Sequence, residues 1–115
     1  MSRASIALAW ILQILVAAIF LLAGGSKLAG SVAMVNMFHT IGWGQWFRYA
    51  TGVIEVGSAL LLLVPSAAAF AALALICTMA GAIIAHLTVL NSPPTGPIIL
   101  LCLSSAVAWL RRPSV

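Results

Sequence analysis

The sequence predicts an all-α protein, an integral membrane four-helix bundle with a short interfacial helix between its first two long helices. Three observations carry this. Hydrophobic residues make up 64% of the 115-residue chain and charged residues only 5%, and the mean hydropathy is +1.25. A soluble domain carries about 25% charged residues to solvate its surface, so this chain has too few for a water-covered exterior. The apolar residues also fall into four runs near the length that crosses a bilayer, about 20 residues for a helix. A length of 115 residues allows one domain, so the expectation is a single transmembrane domain over residues 1–115.

The expected helices cover approximately residues 6–23, 47–64, 67–90 and 97–110. Gly24-Gly25 closes the first and Pro65 stops the second; Asn91-Ser92-Pro93-Pro94 ends the third, and Pro97 suits the first turn of the fourth. The first run is longer than the apolar core of a cleavable signal and is read as a retained helix. The third is rich in small residues such as Ala71, Ala72, Gly81, Ala82 and Ala85, which let helices approach closely in lipid, so it is expected to be central. Between the first two runs, Met34, Met37, Phe38 and Ile41 recur at the spacing of one helix face. Trp43 and Trp46 follow, residues that favour the headgroup region. This segment reads as an interfacial helix and an aromatic belt.

Four crossings put both termini on one side. Arg3, Arg111 and Arg112 lie on that side, with Lys27 and Arg48 on the other. The basic majority places the termini in the cytoplasm. The five basic residues against one acid give a net charge of +4, but they are scattered and do not form the polar basic face of a nucleic-acid binder. The lipid bilayer is the partner they imply.

Polar groups inside a membrane are costly and mark function by default. Glu55 is the only acid in the chain. Arg48, Thr51, Glu55 and Ser58 follow spacings of four, four and three, one stripe of the second long helix. Gln13, Phe20 and Lys27 share a face of the first. Lys27 sits where the first helix leaves the membrane, and His86 lies about one turn before the third does, on the same side. Connectivity thus gathers Lys27, Arg48, Glu55 and His86 in one half of the bilayer, as a candidate ligand-binding or polar cluster with Arg48 nearer the surface. An ion pair that only fixes helix register explains the same residues. No catalytic set and no metal-ligand spacing is found, and no cofactor motif. Cys77 and Cys102 are expected to be separate, packed thiols at different depths.

Several stretches together resemble the DoxX-like family of small four-helix bacterial membrane proteins. They are Ala23-Gly24-Gly25-Ser26-Lys27-Leu28, then Phe47-Arg48-Tyr49 leading into Gly52-Val53-Ile54-Glu55-Val56-Gly57, then Gly81 to Leu87, and the ending Ala108-Trp109-Leu110-Arg111-Arg112. The resemblance implies location in the bacterial cytoplasmic (inner) membrane. It implies an accessory or membrane subunit, not a catalyst on its own, that binds a lipophilic molecule such as a quinone or a redox partner enzyme. A homo-oligomer is compatible with it. Two other classes remain open: a small proton- or cation-coupled transporter using Glu55, and a scaffold or chaperone acting through helix packing.

Overall fold

The computed structural model describes residues 1–113 and is all-α among them, with five helices. They are α1 (Arg3–Ala29), α2 (Val32–Ile41), α3 (Gln45–Leu62), α4 (Ala68–Thr88) and α5 (Thr95–Leu110). α1 and α4 are each long and apolar enough to cross a membrane, while α5 is a shorter apolar helix. Residues 114 and 115, included in the expected domain, lie outside the described residues.

Local chemistry explains most of the ends. The Ser2 hydroxyl accepts from the Ser5 amide at 3.1 Å and starts α1. α1 ends at Gly30, whose left-handed backbone (φ 73°) lets its amide reach the Ser26 carbonyl. Ser31 then caps α2, accepting from the Met34 amide, and α2 ends at Gly42, again left-handed (φ 83°). Asn91, which tolerates the left-handed region better than most residues, takes φ 49° in the α4–α5 connection.

The first helix does not end at residue 23. It runs six residues further, through Gly24-Gly25 to Ala29. Gly24 serves as a contact surface instead of a breaker: a Cβ there would lie 2.8 Å from Val56 Cγ2 and 3.0 Å from the Gly52 carbonyl oxygen. On the facing helix, a Cβ on Gly52 would lie 2.9 Å from Leu28 Cγ. The two backbones therefore cross in near contact, as small residues permit.

α1 packs most extensively on α3 and α4 on α5, with α3–α4 and α1–α5 contacts completing a ring; α2 lies on α3. Val16, Phe20, Ala59, Leu62, Ala72, Leu75 and Val107 fill the middle. α4 is not central. Its first half buries Ala68, Ala69, Ala71 and Ala72, but Phe70, Leu73, Ile84 and Leu87 face outward. Gly81 has no atom within 4 Å of where its Cβ would be. Small residues in this half of α4 leave space rather than bring a helix close.

At the end holding the termini, Gln13 is fully buried. Its amide nitrogen donates to the Leu62 carbonyl at 2.6 Å and its oxygen accepts from Arg111 Nε at 2.8 Å. One side chain thus ties α1 to the last residue of α3 and to the residue after α5. The sevenfold spacing placed Gln13 on one face of α1 with Phe20 and Lys27, but nothing in the sequence pointed to its partners.

Candidate functional site

The site grows from the glycine crossing. α1 and α3 cross in opposite directions, so Glu55 stands level with Gly24, whose Cβ would lie 3.0 Å from Glu55 Cβ, and Lys27, one turn beyond Gly24 on α1, reaches back to the carboxylate. Lys27 Nζ is 2.6 Å from Glu55 Oε1. The distance suits a hydrogen bond but the direction is poor, so the contact is that of an ion pair. Glu55 is 1% exposed and Lys27 12%. A buried carboxylate needs such a partner, since an uncompensated charge in this setting is disfavoured by several kcal/mol, on the order of 2.5–3.5 on insertion scales.

Arg48 plays a different part from the one its stripe implied. It stands in the first turn of α3 with its side chain buried, and it does not line the cavity. Its Nη1 donates to the Lys27 carbonyl and its Nε to Gln45 Oε1 at 2.7 Å. Its guanidinium also lies 4.2 Å from the Tyr49 ring centre. A cation on an exposed carbonyl at the end of α1 satisfies an orphan acceptor and opposes the negative end of the helix dipole. Arg48 therefore fixes the end of α1 from which Lys27 reaches inward.

Beside the ion pair is a cavity of ≈ 630 Å³, within the about 300–1,000 Å³ common for small-molecule sites. Lys27 and Glu55 stand on its wall with His86 from α4. The rest is mainly apolar: Met34, Met37, Phe38 and Ile41 from α2, Ala82 and Ala85 from α4, Leu100 from α5. His86 Nδ1 lies 2.6 Å from Ser92 Oγ, which pins the imidazole to the α4–α5 connection and leaves Nε2 without a partner among the described residues. Thr51 and Thr78 also line the cavity. Each donates its hydroxyl to a carbonyl of its own helix, at 2.8 Å to Phe47 and 2.8 Å to Ala74, so each offers only lone pairs to the space. The structure thus brings Lys27, Glu55 and His86 around one cavity and sets Arg48 apart as a cap.

Two features of the site were not read from the sequence. Gln45, the first residue of α3, bonds to the Val35 carbonyl on α2 and to Arg48. Cys77 lies on the cavity wall. Both cysteines are free and exposed, not packed as expected. Replacing both with Ala is expected to leave thermal stability within about 0.5 kcal/mol of the parent. Mass spectrometry of the unreduced parent is expected to show two free thiols; a disulfide would contradict this arrangement.

The family model described as the DoxX-like family matches residues 11–108. The chain belongs to the DoxX-like family. No curated protein and no solved structure matches it. The matched stretch covers the glycine crossing, the ion pair, the cavity walls and Gln13. Membership, together with two helices of spanning length and composition, marks this DoxX-like chain as a membrane protein. Among its described residues no three His, Cys, Asp or Glu side chains converge as a metal-binding group.

Proposed function

We propose that the chain crosses the bacterial cytoplasmic membrane four times, through α1, α3, α4 and α5, and holds a lipophilic molecule with an uncharged polar head in the cavity. The observation that carries this reading is an apolar cavity whose wall holds one buried acid already neutralised by one base. Such a wall offers hydrogen bonds without net charge. The ammonium has further N–H groups beyond the one facing Glu55, His86 has a free ring nitrogen, and Thr51 and Thr78 present acceptors. A quinone fits this description: carbonyls on a flat ring, and an apolar tail for the methionine-rich side. In that role the protein serves as an accessory or membrane subunit beside a redox enzyme, and no catalytic group is assigned to it. The same ion pair counts against a cation-coupled transporter, because the one acid is engaged at 2.6 Å.

The binding test uses Trp43, which lines the cavity. In a background carrying Trp10→Phe, Trp46→Phe and Trp109→Phe, a benzoquinone with a ten-carbon tail should quench Trp43 saturably in lipid nanodiscs. Linear, unsaturable quenching is mere partition into lipid and would remove the binding reading.

Both termini are placed in the cytoplasm on the strength of Arg3, Arg111 and Arg112. Cysteines introduced at Ser2 and at Ser114, the latter outside the described residues, should both be shielded from a membrane-impermeant maleimide added outside. Labelling of one but not the other would mean that a span is missing, with α5, at about 24 Å, the shortest of the four.

A further inference from the structure

We propose that α2 is a lid over the cavity and that Gln45 is the positioning residue that holds it shut. This rests on the cavity being a binding site and concerns how a ligand gets in and out.

The helix is lightly held. Among its described residues only Phe38 is buried, and its packing is mainly on α3. Left-handed glycines flank it, Gly30 just before its Ser31 cap and Gly42 at its end, and Gly44 beyond also has positive φ (96°). Glycine imposes little steric cost on backbone rotation, so these are natural pivots. The inner face of α2 closes one side of the cavity with Met34, Met37 and Ile41, and methionine adapts its shape to what lies beneath it. The long helices, by contrast, meet each other along ring contacts that would have to be broken together.

Two attachments hold the lid. Phe38 meets Phe47 edge-on, with ring centres 5.7 Å apart. Gln45 supplies the polar one. Its Nε2 donates to the Val35 carbonyl on α2 at 3.1 Å, while its Oε1 accepts from Arg48 Nε at 2.7 Å. Arg48 in turn donates to the Lys27 carbonyl, and Lys27 pairs with Glu55. One amide side chain therefore joins the lid to the residues that position the ion pair. α2 swings on its glycines when this amide lets go, and the cavity opens toward the headgroup region.

Two substitutions separate the halves of the amide. Gln45→Ala removes both bonds. Gln45→Glu keeps an acceptor for Arg48 and removes the donor to Val35. In nanodiscs, hydrogen exchange at the amides of residues 36–41 should quicken about tenfold in both variants, the scale of losing a hydrogen bond, while Val16–Phe20 and Leu75 stay protected. The tailed benzoquinone should enter and leave each variant about tenfold faster with a nearly unchanged Kd, as expected when a closing contact is lost and the binding contacts remain. Unchanged exchange in α2 would overturn the proposal, as would a loosened α1 or α4. Parental behaviour of Gln45→Glu would overturn the role of the Val35 bond. If the benzoquinone fails to bind even the parent, the proposed function falls, and the exchange measurement alone decides the lid.

Discussion

Glu55→Gln is expected to abolish saturable quenching of Trp43 and to destabilise the protein, the largest effect of any single substitution we foresee. The side chain keeps its shape, so packing is unchanged, but Lys27 keeps a charge that nothing nearby neutralises. Removing one partner of a buried pair costs about 3–5 kcal/mol, because the other charge is left unsatisfied. Lys27 sits at the end of α1 and is 12% exposed, so it relieves part of this by bending toward the headgroups, and the lower half of that range is expected. Combining Glu55→Gln with Lys27→Met removes the stranded charge. The double variant should therefore recover most of the stability, with strongly non-additive free energies. Binding should not return, since the polar wall is gone. Recovery of both stability and binding would show that the pair is only a structural register device. Unfolding in sodium dodecyl sulfate, followed by helicity, supplies the stability measurement.

Gly24→Ala is expected to be nearly as damaging although it adds one methyl group. That methyl would lie 2.8 Å from Val56 Cγ2, 3.0 Å from Glu55 Cβ and 3.0 Å from the Gly52 carbonyl oxygen. Val56 is stiff and the carbonyl belongs to a helix backbone, so the helices must separate. Overpacking of this kind costs about 1–3 kcal/mol. The displacement also draws Lys27 away from Glu55, so weaker benzoquinone binding should accompany lower stability. Gly52→Ala meets Leu28 Cγ at 2.9 Å and should behave alike, moderated by the flexible leucine. Gly25 and Gly57 are the controls. Neither has any atom within 4 Å of its added Cβ, and Ala there should stabilise each helix by up to about 1 kcal/mol. Equal effects at all four positions would mean that intrinsic helix propensity, not the α1–α3 crossing, governs the response.

These four glycines also show what could and could not be read from the chain. A glycine pair after an apolar run signals a helix end, and it signals equally a place where two helices touch. Only the facing helix decides between them, which is why α1 was expected to stop at Ala23 and in fact continues to Ala29. The helix α2 was legible because Met34, Met37, Phe38 and Ile41 repeat at helical spacing. The proximity of Lys27 to Glu55 follows from connectivity, since α1 ends and α3 begins at the same end of the helix ring. The role of Arg48 was not legible, because it depends on where the last carbonyls of α1 point. The cavity escaped for a subtler reason. Gly81, Ala82 and Ala85 were read as residues that bring helices together, whereas an unfilled volume leaves no sign in a one-dimensional pattern.

The buried amide of Gln13 ties the fold to the order in which the chain is made. Its oxygen accepts from Arg111, 98 residues away in sequence. Chains generally fold from the N-terminus as they emerge. α1 and α3 can therefore meet at their glycines, and Lys27 can find Glu55, long before Arg111 exists. During that interval the Gln13 oxygen lacks its native donor and α1 lacks its neighbour α5. The ring of helices is complete only once α5 and Arg111 have been made, and its closing contact is a hydrogen bond between α1 and the residue after α5.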